Sequence, residues 1–273
     1  MLVRLILFVA MMLGSSSIAE TQGPHRALSD PASAKAWRAV GRLDIDNRGF
    51  CTASLIADHL VLTAAHCLFA KTNGAQLSAD KMIFKAGFQR GRSAATRRGA
   101  RYVIHPNYRH NSPDKVKNVP FDIAVIELES PIRTADIIPF DLHRKPRLDD
   151  SVMVVSYARG RSEIPSIEDG CKMFDVYREA LIYSCDVDFG ASGSPVFVMT
   201  TAGPKIASVM TSKSQFRDKK VSLGAPLGTS LQRLLNELAT TNPTSKFVGS
   251  KPLSIGEQLG RREARTGLPQ ITR

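Results

Sequence analysis

The chain has no apolar run long enough to span a bilayer. The run near its N-terminus, residues 5–13, has nine residues, whereas a transmembrane helix needs about 20. Arg4 precedes this run, and the small residues Ser17 and Ala19 follow it. This order predicts a secretory signal peptide over residues 1–19, no membrane anchor after its removal, and a secreted or periplasmic mature protein.

Cysteine is scarce, and no C-x-x-C pair occurs in the sequence. The spacing typical of a structural zinc site is therefore missing, and we expect neither a metal nor a cofactor. The four cysteines of an exported chain predict two disulfide bonds, for which spacing alone leaves three pairings open. They are Cys51, Cys67, Cys171 and Cys185.

Histidine is absent after position 143. This absence decides how Ser192, which lies in the small-residue stretch 190–195, could act as a nucleophile. Enzymes of the α/β-hydrolase class carry their histidine downstream of the serine, so the chain order excludes that class. Any histidine that activates Ser192 must therefore precede it in the chain.

Glycines flank Ser192 at the start of an apolar stretch. Small residues allow a sharp turn and the close approach of another group. The N–H groups of Gly190 and Ser192 could both point at one developing oxyanion, as acyl transfer requires. The alternative interpretation is a Gly/Ser turn between two strands.

His66 ends one apolar stretch and Asp122 begins another. A serine hydroxyl needs an imidazole to take its proton, and the imidazole needs a buried carboxylate to orient it. Asp114 and Asp136 compete for that role, but they lie among prolines and polar residues. We therefore predict a His66, Asp122 and Ser192 triad, with a purely structural His66 as the alternative.

Three strings carry a family resemblance: TAAHC at 63–67, FDIAVIEL at 121–128 and GASGSP at 190–195. Their order and spacing resemble the catalytic segments of chymotrypsin-like and trypsin-like serine peptidases, most closely the bacterial branch related to glutamyl endopeptidases. The resemblance covers residues 37–238. It implies a serine endopeptidase that acts on protein or peptide substrates through an acyl-enzyme.

Short apolar runs recur between turn residues and predict an all-β protein of barrels or sandwiches. The resemblance implies two six-stranded antiparallel β-barrels, over about 37–140 and 150–229. Leucines at helical spacing predict a C-terminal helix over residues 230–240 that packs on the second barrel. The predicted strands are 40–45, 50–56, 60–64, 82–86, 101–104, 123–128, 152–157, 172–177, 181–185, 195–200 and 206–211.

Composition changes on both sides of this peptidase domain, 37–240. Residues 20–36 lack periodicity and predict a disordered leader or short pro-segment. Residues 241–273 are polar and basic, which predicts a flexible tail.

The resemblance also implies details of the site. It pairs Cys51 with Cys67 beside His66, and Cys171 with Cys185 would close the hairpin before Ser192. Animal digestive members have an aspartate where this chain has Ala191. That aspartate pairs with a new N-terminus on activation, so here other contacts must hold the oxyanion hole open.

Three residues are predicted to bind the substrate. Asp186 lies six residues before Ser192, where trypsin-like enzymes hold the acid of their specificity pocket, and Thr211 and Lys213 stand in the pocket wall. A carboxylate at that place favours substrate arginine or lysine at the cleavage position.

Acidic residues are fewer than lysines and arginines, and the formal net charge is +12. This excess favours anionic surfaces as partners through basic patches, while no nucleic-acid-binding motif accompanies it. A second hypothesis follows from it, a catalytically silent secreted protein that uses the same scaffold and its basic surface for binding.

Overall fold

A computed structural model describes residues 25–143 and 146–241. The predicted signal peptide, 1–19, and the predicted tail from residue 242 onward lie outside the described residues. The described strands are β1 (Arg26–Ala27), β2 (Val40–Ile45), β3 (Gly49–Ala57), β4 (Leu60–Thr63), β5 (Met82–Ala86), β6 (Ala95–Ile104), β7 (Ala124–Leu128), β8 (Ser151–Ala158), β9 (Arg161–Tyr177), β10 (Ala180–Tyr183), β11 (Pro195–Thr200), β12 (Gly203–Phe216) and β13 (Lys219–Pro226). The helices are α1 (Pro31–Lys35), α2 (Lys115–Asn118) and α3 (Gly228–Thr240).

The first barrel is a closed antiparallel sheet with the strand order β2-β3-β4-β7-β6-β5. Strand β5 shows why this segment forms a barrel wall. Met82, Phe84 and Ala86 are buried, while Ile83 and Lys85 between them are partly exposed. Because successive side chains of a strand point to opposite faces, this alternation puts one face in the barrel core.

The second sheet has seven strands in the order β1-β9-β10-β13-β12-β11-β8. Strand β8 pairs with both β11 and β9, so six strands close into a ring and β1 is added outside it on β9. The predicted class, an all-β fold of two antiparallel six-stranded barrels with a C-terminal helix, is confirmed.

The residues before the first barrel were predicted to form a disordered leader or a short pro-segment. From residue 25 onward they are ordered: β1 pairs with β9, and α1 starts after an Asp30 cap. Leu28 is buried in the core. A strand of two residues is too short to show alternation, so the sequence pattern could not reveal it.

Helix α3 begins two residues earlier than predicted and packs on the first barrel, against β6 and β7, rather than on the second. Arg101 of β6 explains this position. Its Nη2 donates to the carbonyl of Leu238 at 2.8 Å, and its Nη1 donates to Thr241 Oγ1 at 2.9 Å. The same guanidinium pairs with Glu127 of β7 at 2.5 Å. No helix within the described ranges is long and apolar enough to cross a membrane.

Candidate active site

The pairing of β4 with β7 brings His66 and Asp122 together. Thr63 at the end of β4 lies opposite Ala124 at the start of β7. His66 follows Thr63 by three residues in a 3₁₀ turn, and Asp122 precedes Ala124 by two. Because antiparallel strands place the end of one beside the start of the other, both side chains lie at the same barrel edge.

Two contacts join His66 to Asp122. The backbone N–H of His66 donates to Asp122 Oδ1 at 2.9 Å, and the imidazole Nδ1 lies 2.7 Å from Oδ2. The Asp122 side chain is 10% exposed and that of His66 is 31% exposed. One carboxylate oxygen thus holds the backbone of His66 and the other orients the imidazole, with the ring still accessible from the groove.

The environment of His66 favours its protonated form. Burial of the ring disfavours the charge, but the charge and hydrogen bond of the Asp122 carboxylate outweigh burial and raise the pKa of His66 above its ordinary value. The Lys71 ammonium acts in the opposite direction. A stabilised imidazolium is what a base that takes a proton from a serine requires.

Ser192 lines the same groove as His66 and Asp122. Its hydroxyl donates to the carbonyl of Thr211 at 3.4 Å, and its own carbonyl accepts from the N–H of Thr52 at 2.9 Å. Within the described part of the chain, the hydroxyl makes no hydrogen bond to His66. The structure therefore brings the three predicted residues into one groove, with the serine hydroxyl turned to Thr211.

The peptide between Phe189 and Gly190 has a fixed orientation. The carbonyl of Phe189 accepts from the N–H of Arg159 at 2.7 Å. The C=O and N–H of a trans peptide point in opposite directions, so the N–H of Gly190 faces away from Arg159. Across residues 25–143 and 146–241, the N–H groups of Gly190 and Ser192 have no acceptor. Two unused donors thus belong to residues that line the groove.

Two glycines of this loop are needed for its shape. Gly190 has φ +99°, and a Cβ there would lie 2.3 Å from the Phe50 ring. Gly193 has φ +81°, and a Cβ there would lie 2.2 Å from the carbonyl oxygen of Thr52. Both the left-handed backbone and the close approach exclude other residues.

Thr52, which sequence analysis did not select, connects the two barrels at this loop. Its buried Oγ1 accepts from the N–H of Tyr157 at 3.0 Å and donates to the carbonyl of Gly190 at 2.9 Å. These partners are 105 and 138 residues away in sequence. No local pattern could have identified the residue, because both contacts form between barrels.

The groove between the barrels has a volume of about 740 Å³. Residues 45, 46, 48–51 and 69–72 of the first barrel line it, together with residues 187–190 and 210–214 of the second. Thr211 and Lys213 are among them, whereas Asp186 is not.

Asp186 is exposed, and its N–H donates to both carboxylate oxygens of Glu168, each at 3.0 Å. Lys213 pairs instead with Asp188, at 3.0 Å from Oδ1. Asp186 is therefore not among the residues that line the groove, and it lies beside Glu168. Its role at the base of a pocket for a basic side chain, which residue type and spacing suggested, stays a prediction.

Glu168 is a buried carboxylate that sequence analysis also missed. Burial raises the pKa of Glu168 to about 7, against the hydrogen bond from the Asp186 N–H and the charge of Arg161. The Nδ1 of His25, just before β1, lies 3.8 Å from Glu168 Oε2. The N-terminal segment thus contacts the carboxylate that accepts from the Asp186 N–H, six residues before Ser192.

The structure contains two disulfide bonds, Cys51–Cys67 and Cys171–Cys185. These are the pairs that the resemblance implied. Among the residues that the structure describes, two clusters have metal-ligand spacing, one with His66 and one with Glu168, and each contains both cysteines of one disulfide. A cysteine ligates a metal as its thiolate, so neither cluster can bind a metal through sulfur while its disulfide is intact.

Solved structures share this two-barrel architecture. A Glu endopeptidase in complex with MPD has a TM-score of 0.64 and 14% identity, over 81% of this chain and 99% of that one. The thermostable serine protease AL20 from an extremophilic microorganism has a TM-score of 0.61 and 17% identity, over 76% and 100%. The fold is thus that of chymotrypsin-like proteins.

The sequence itself matches the Trypsin family over residues 29–220. The chain therefore belongs to the trypsin family, and the resemblance seen in its three motifs is confirmed. It is also 30% identical over 104 residues to transmembrane protease serine 11G of Rattus norvegicus. This aligned segment covers 37% of this chain. The match spans 22% of the length of that relative.

Proposed function

We propose that the protein is a secreted serine endopeptidase that hydrolyses peptide bonds through an acyl-enzyme. Ser192 is the nucleophile, His66 is the general base and then the general acid, and Asp122 orients the imidazole. The N–H groups of Gly190 and Ser192 bind the oxyanion.

One observation carries the proposal: Asp122 holds His66 by both carboxylate oxygens in the groove that Ser192 lines. With Nδ1 facing Asp122, Nε2 is the nitrogen that can accept a proton. Rotation of the Ser192 hydroxyl away from Thr211 brings it towards that nitrogen in the substrate complex. Catalytic hydrogen bonds often form only in such complexes.

The reaction has two balanced halves. Ser192 Oγ bonds to the substrate carbonyl carbon while its proton passes to His66, and the carbonyl oxygen becomes an oxyanion facing the two N–H groups. His66 then protonates the leaving amine as the C–N bond breaks, which leaves an ester on Ser192. Water attacks this ester with His66 again as the base, and the peptide acid leaves as Ser192 recovers its proton.

The mature protein should react with a fluorophosphonate probe at Ser192 and should cleave an unstructured protein such as casein. In the Ser192→Ala variant, labelling should disappear and turnover should fall on the order of 10³-fold or more. Ser151→Ala is the matched control, because this exposed serine at the start of β8 lies outside the groove. A wild-type protein without labelling or cleavage would refute the proposal and would favour the silent binding protein.

The proposed location is outside the cytoplasm, after removal of residues 1–19. Two disulfide bonds support it, because such bonds persist in oxidising compartments. N-terminal sequencing of the exported protein tests the cleavage site, and mass measurement tests whether the tail, 241–273, is retained. Recovery of all chains uncleaved in the cytoplasm would contradict it.

A further inference from the structure

The first barrel contributes two exposed lysines to the groove, Lys71 and Lys115. Lys71 follows the segment that carries His66, and its Nζ lies 3.7 Å from the position that a Cβ on Gly49 would take. The ammonium thus lies over the start of β3. Lys115 is the first residue of α2, in the segment that precedes Asp122.

Both ammonium groups are close enough to influence the catalytic region electrostatically. The Lys71 ammonium acts against the raised pKa of His66. Burial, the charge of His66 and the charge of Lys115 lower the pKa of His110, while the charge of Asp122 acts to raise it. The two lysines therefore contribute positive potential near the place where the substrate must bind.

The other cations of the groove are already paired. Arg48 lies 3.5 Å from Asp46, and Lys213 lies 3.0 Å from Asp188. Neither Lys71 nor Lys115 forms an ion pair with any residue that the structure describes.

The carboxylates of the groove are engaged as well. Asp46 and Asp188 hold the paired cations, and the remaining one, Asp122, is buried and holds His66. The groove therefore has two lysines that find no counter-charge among the residues the structure describes.

We infer that Lys71 and Lys115 are specificity-determining residues that bind carboxylate side chains of an acidic peptide substrate. The inference rests on the proposed endopeptidase function and adds the substrate class. It concerns substrate positions that contact loops of the first barrel, and it does not involve the wall formed by residues 187–190 and 210–214.

Both lysines are exposed, so each pairing is screened by water and salt. Pairs of this kind change an equilibrium by about twofold to fivefold each. Attraction of an acidic peptide into a positively charged groove adds a contribution to the association rate that falls with ionic strength. The preference should therefore appear mainly in kcat/KM and should weaken in high salt.

The test uses fluorogenic peptides in which Asp or Glu is exchanged for Asn or Gln at one position at a time. The mature wild type is compared with Lys71→Glu, Lys115→Glu and the double variant, at a pH where activity no longer changes. Rates are normalised to the fraction of protein labelled by a fluorophosphonate probe, so misfolded molecules do not count. Lys71→Gln and Lys115→Gln remove the charge with less perturbation.

Lys117→Glu is the matched control. It makes the same charge change on the same short helix, but Lys117 does not line the groove.

We expect the kcat/KM of the wild type to be higher for acidic peptides by about fourfold to 25-fold when two positions contribute, since each pairing contributes about twofold to fivefold. Each single Lys→Glu variant should lose or reverse the acidic preference at the substrate position that its lysine contacts. The Lys117→Glu variant should keep the full preference. A labelled, active wild type without acidic preference, or one whose preference survives the double variant, would overturn this inference alone. A wild type that neither labels nor cleaves would overturn the proposed function and this inference with it.

Discussion

The backbone N–H of Arg159 donates a 2.7 Å hydrogen bond to the carbonyl of Phe189. This contact orients the peptide before Gly190 so that the next N–H faces away from Arg159. The chain has Ala191 in place of the aspartate that orders this loop in animal digestive relatives. We therefore attribute the orientation of the proposed oxyanion hole to the turn between β8 and β9, which carries Arg159.

Replacing Arg159 by proline tests this attribution, because proline has no N–H to donate. The turn tolerates the ring: Arg159 has a negative φ, and Gly160 after it has φ +79°, as in a type II turn with proline in the first central position. Without its partner, the Phe189 carbonyl is free to turn towards the groove. We expect kcat to fall by about 10²-fold, the effect of losing one oxyanion donor, with a smaller change in KM.

The control for this experiment is Arg159→Ala. It loses the side chain that lies over the Phe189 ring at 4.5 Å, as the proline variant does, but keeps the N–H. Its kcat should stay near that of the wild type. Equal activity in the alanine and proline variants would show that the hydrogen bond does not orient the loop.

Thr52→Val should weaken both stability and catalysis. The change keeps the shape of the side chain but leaves the Tyr157 N–H and the Gly190 carbonyl without their shared partner. Unpaired buried groups cost about 1–3 kcal/mol, which urea denaturation in a Ser192→Ala background would measure. Thr52→Ser keeps the hydroxyl and should retain the kcat that Thr52→Val loses. A valine variant as active as the wild type would separate Thr52 from the catalytic loop.

His66 should titrate above its ordinary pKa of 6.5, because the Asp122 carboxylate outweighs burial. Activity needs the neutral imidazole, so kcat/KM should rise with pH through a midpoint above 6.5. The stabilisation from the charged ring is present below 6.5 and is lost as pH rises through the folded value.

NMR titration of the imidazole signals can check the raised pKa of His66. In the Asp122→Asn variant the ring stays buried but loses the carboxylate, so the titration midpoint of His66 should drop. His105 is an internal reference, because burial and Arg233 lower its pKa. A His66 midpoint that is the same with and without Asp122 would contradict the pairing.

Glu168→Gln should make stability less dependent on pH. The folded chain keeps a proton on Glu168 up to about pH 7, whereas an unfolded glutamate releases it near 4.5. The free energy of unfolding of the wild type should therefore fall between these values, by up to about 3 kcal/mol from this group. Glutamine does not ionise, so the variant should gain stability relative to wild type from pH 5 to pH 8.

Urea denaturation at both pH values, in a Ser192→Ala background, measures this difference. Glu163→Gln is the control, because Glu163 lies on the same strand with a side chain that is 57% exposed. Its effect should be small and similar at both pH values. A Glu168→Gln variant with the same pH dependence as wild type would show that the carboxylate is already ionised at pH 5.

Alternation and motif order predicted much of the fold. Strand β5 was recognisable as a short apolar run between turn residues, and α3 because Leu231, Leu234, Leu235 and Leu238 recur at helical spacing. The prediction that α3 packs on the second barrel was wrong, because the helix packs on the first. This packing depends on Arg101, which is far from the helix in sequence and meets it only in the fold.

The sequence by itself determined the all-β class, the order of His66, Asp122 and Ser192, and the small-residue stretch around Ser192, while the resemblance of its motifs implied the two barrels. Local periodicity and small-residue spacing are properties of neighbouring residues, so they can be read before folding. The tertiary structure decided the role of Thr52, the hydrogen bond from Arg159 to Phe189, and the position of Asp186 beside Glu168. Each of these depends on atoms that are distant in the chain. The contacts of Thr52 form between the two barrels, whereas Arg159 meets Phe189 and Asp186 meets Glu168 only when the second barrel has folded.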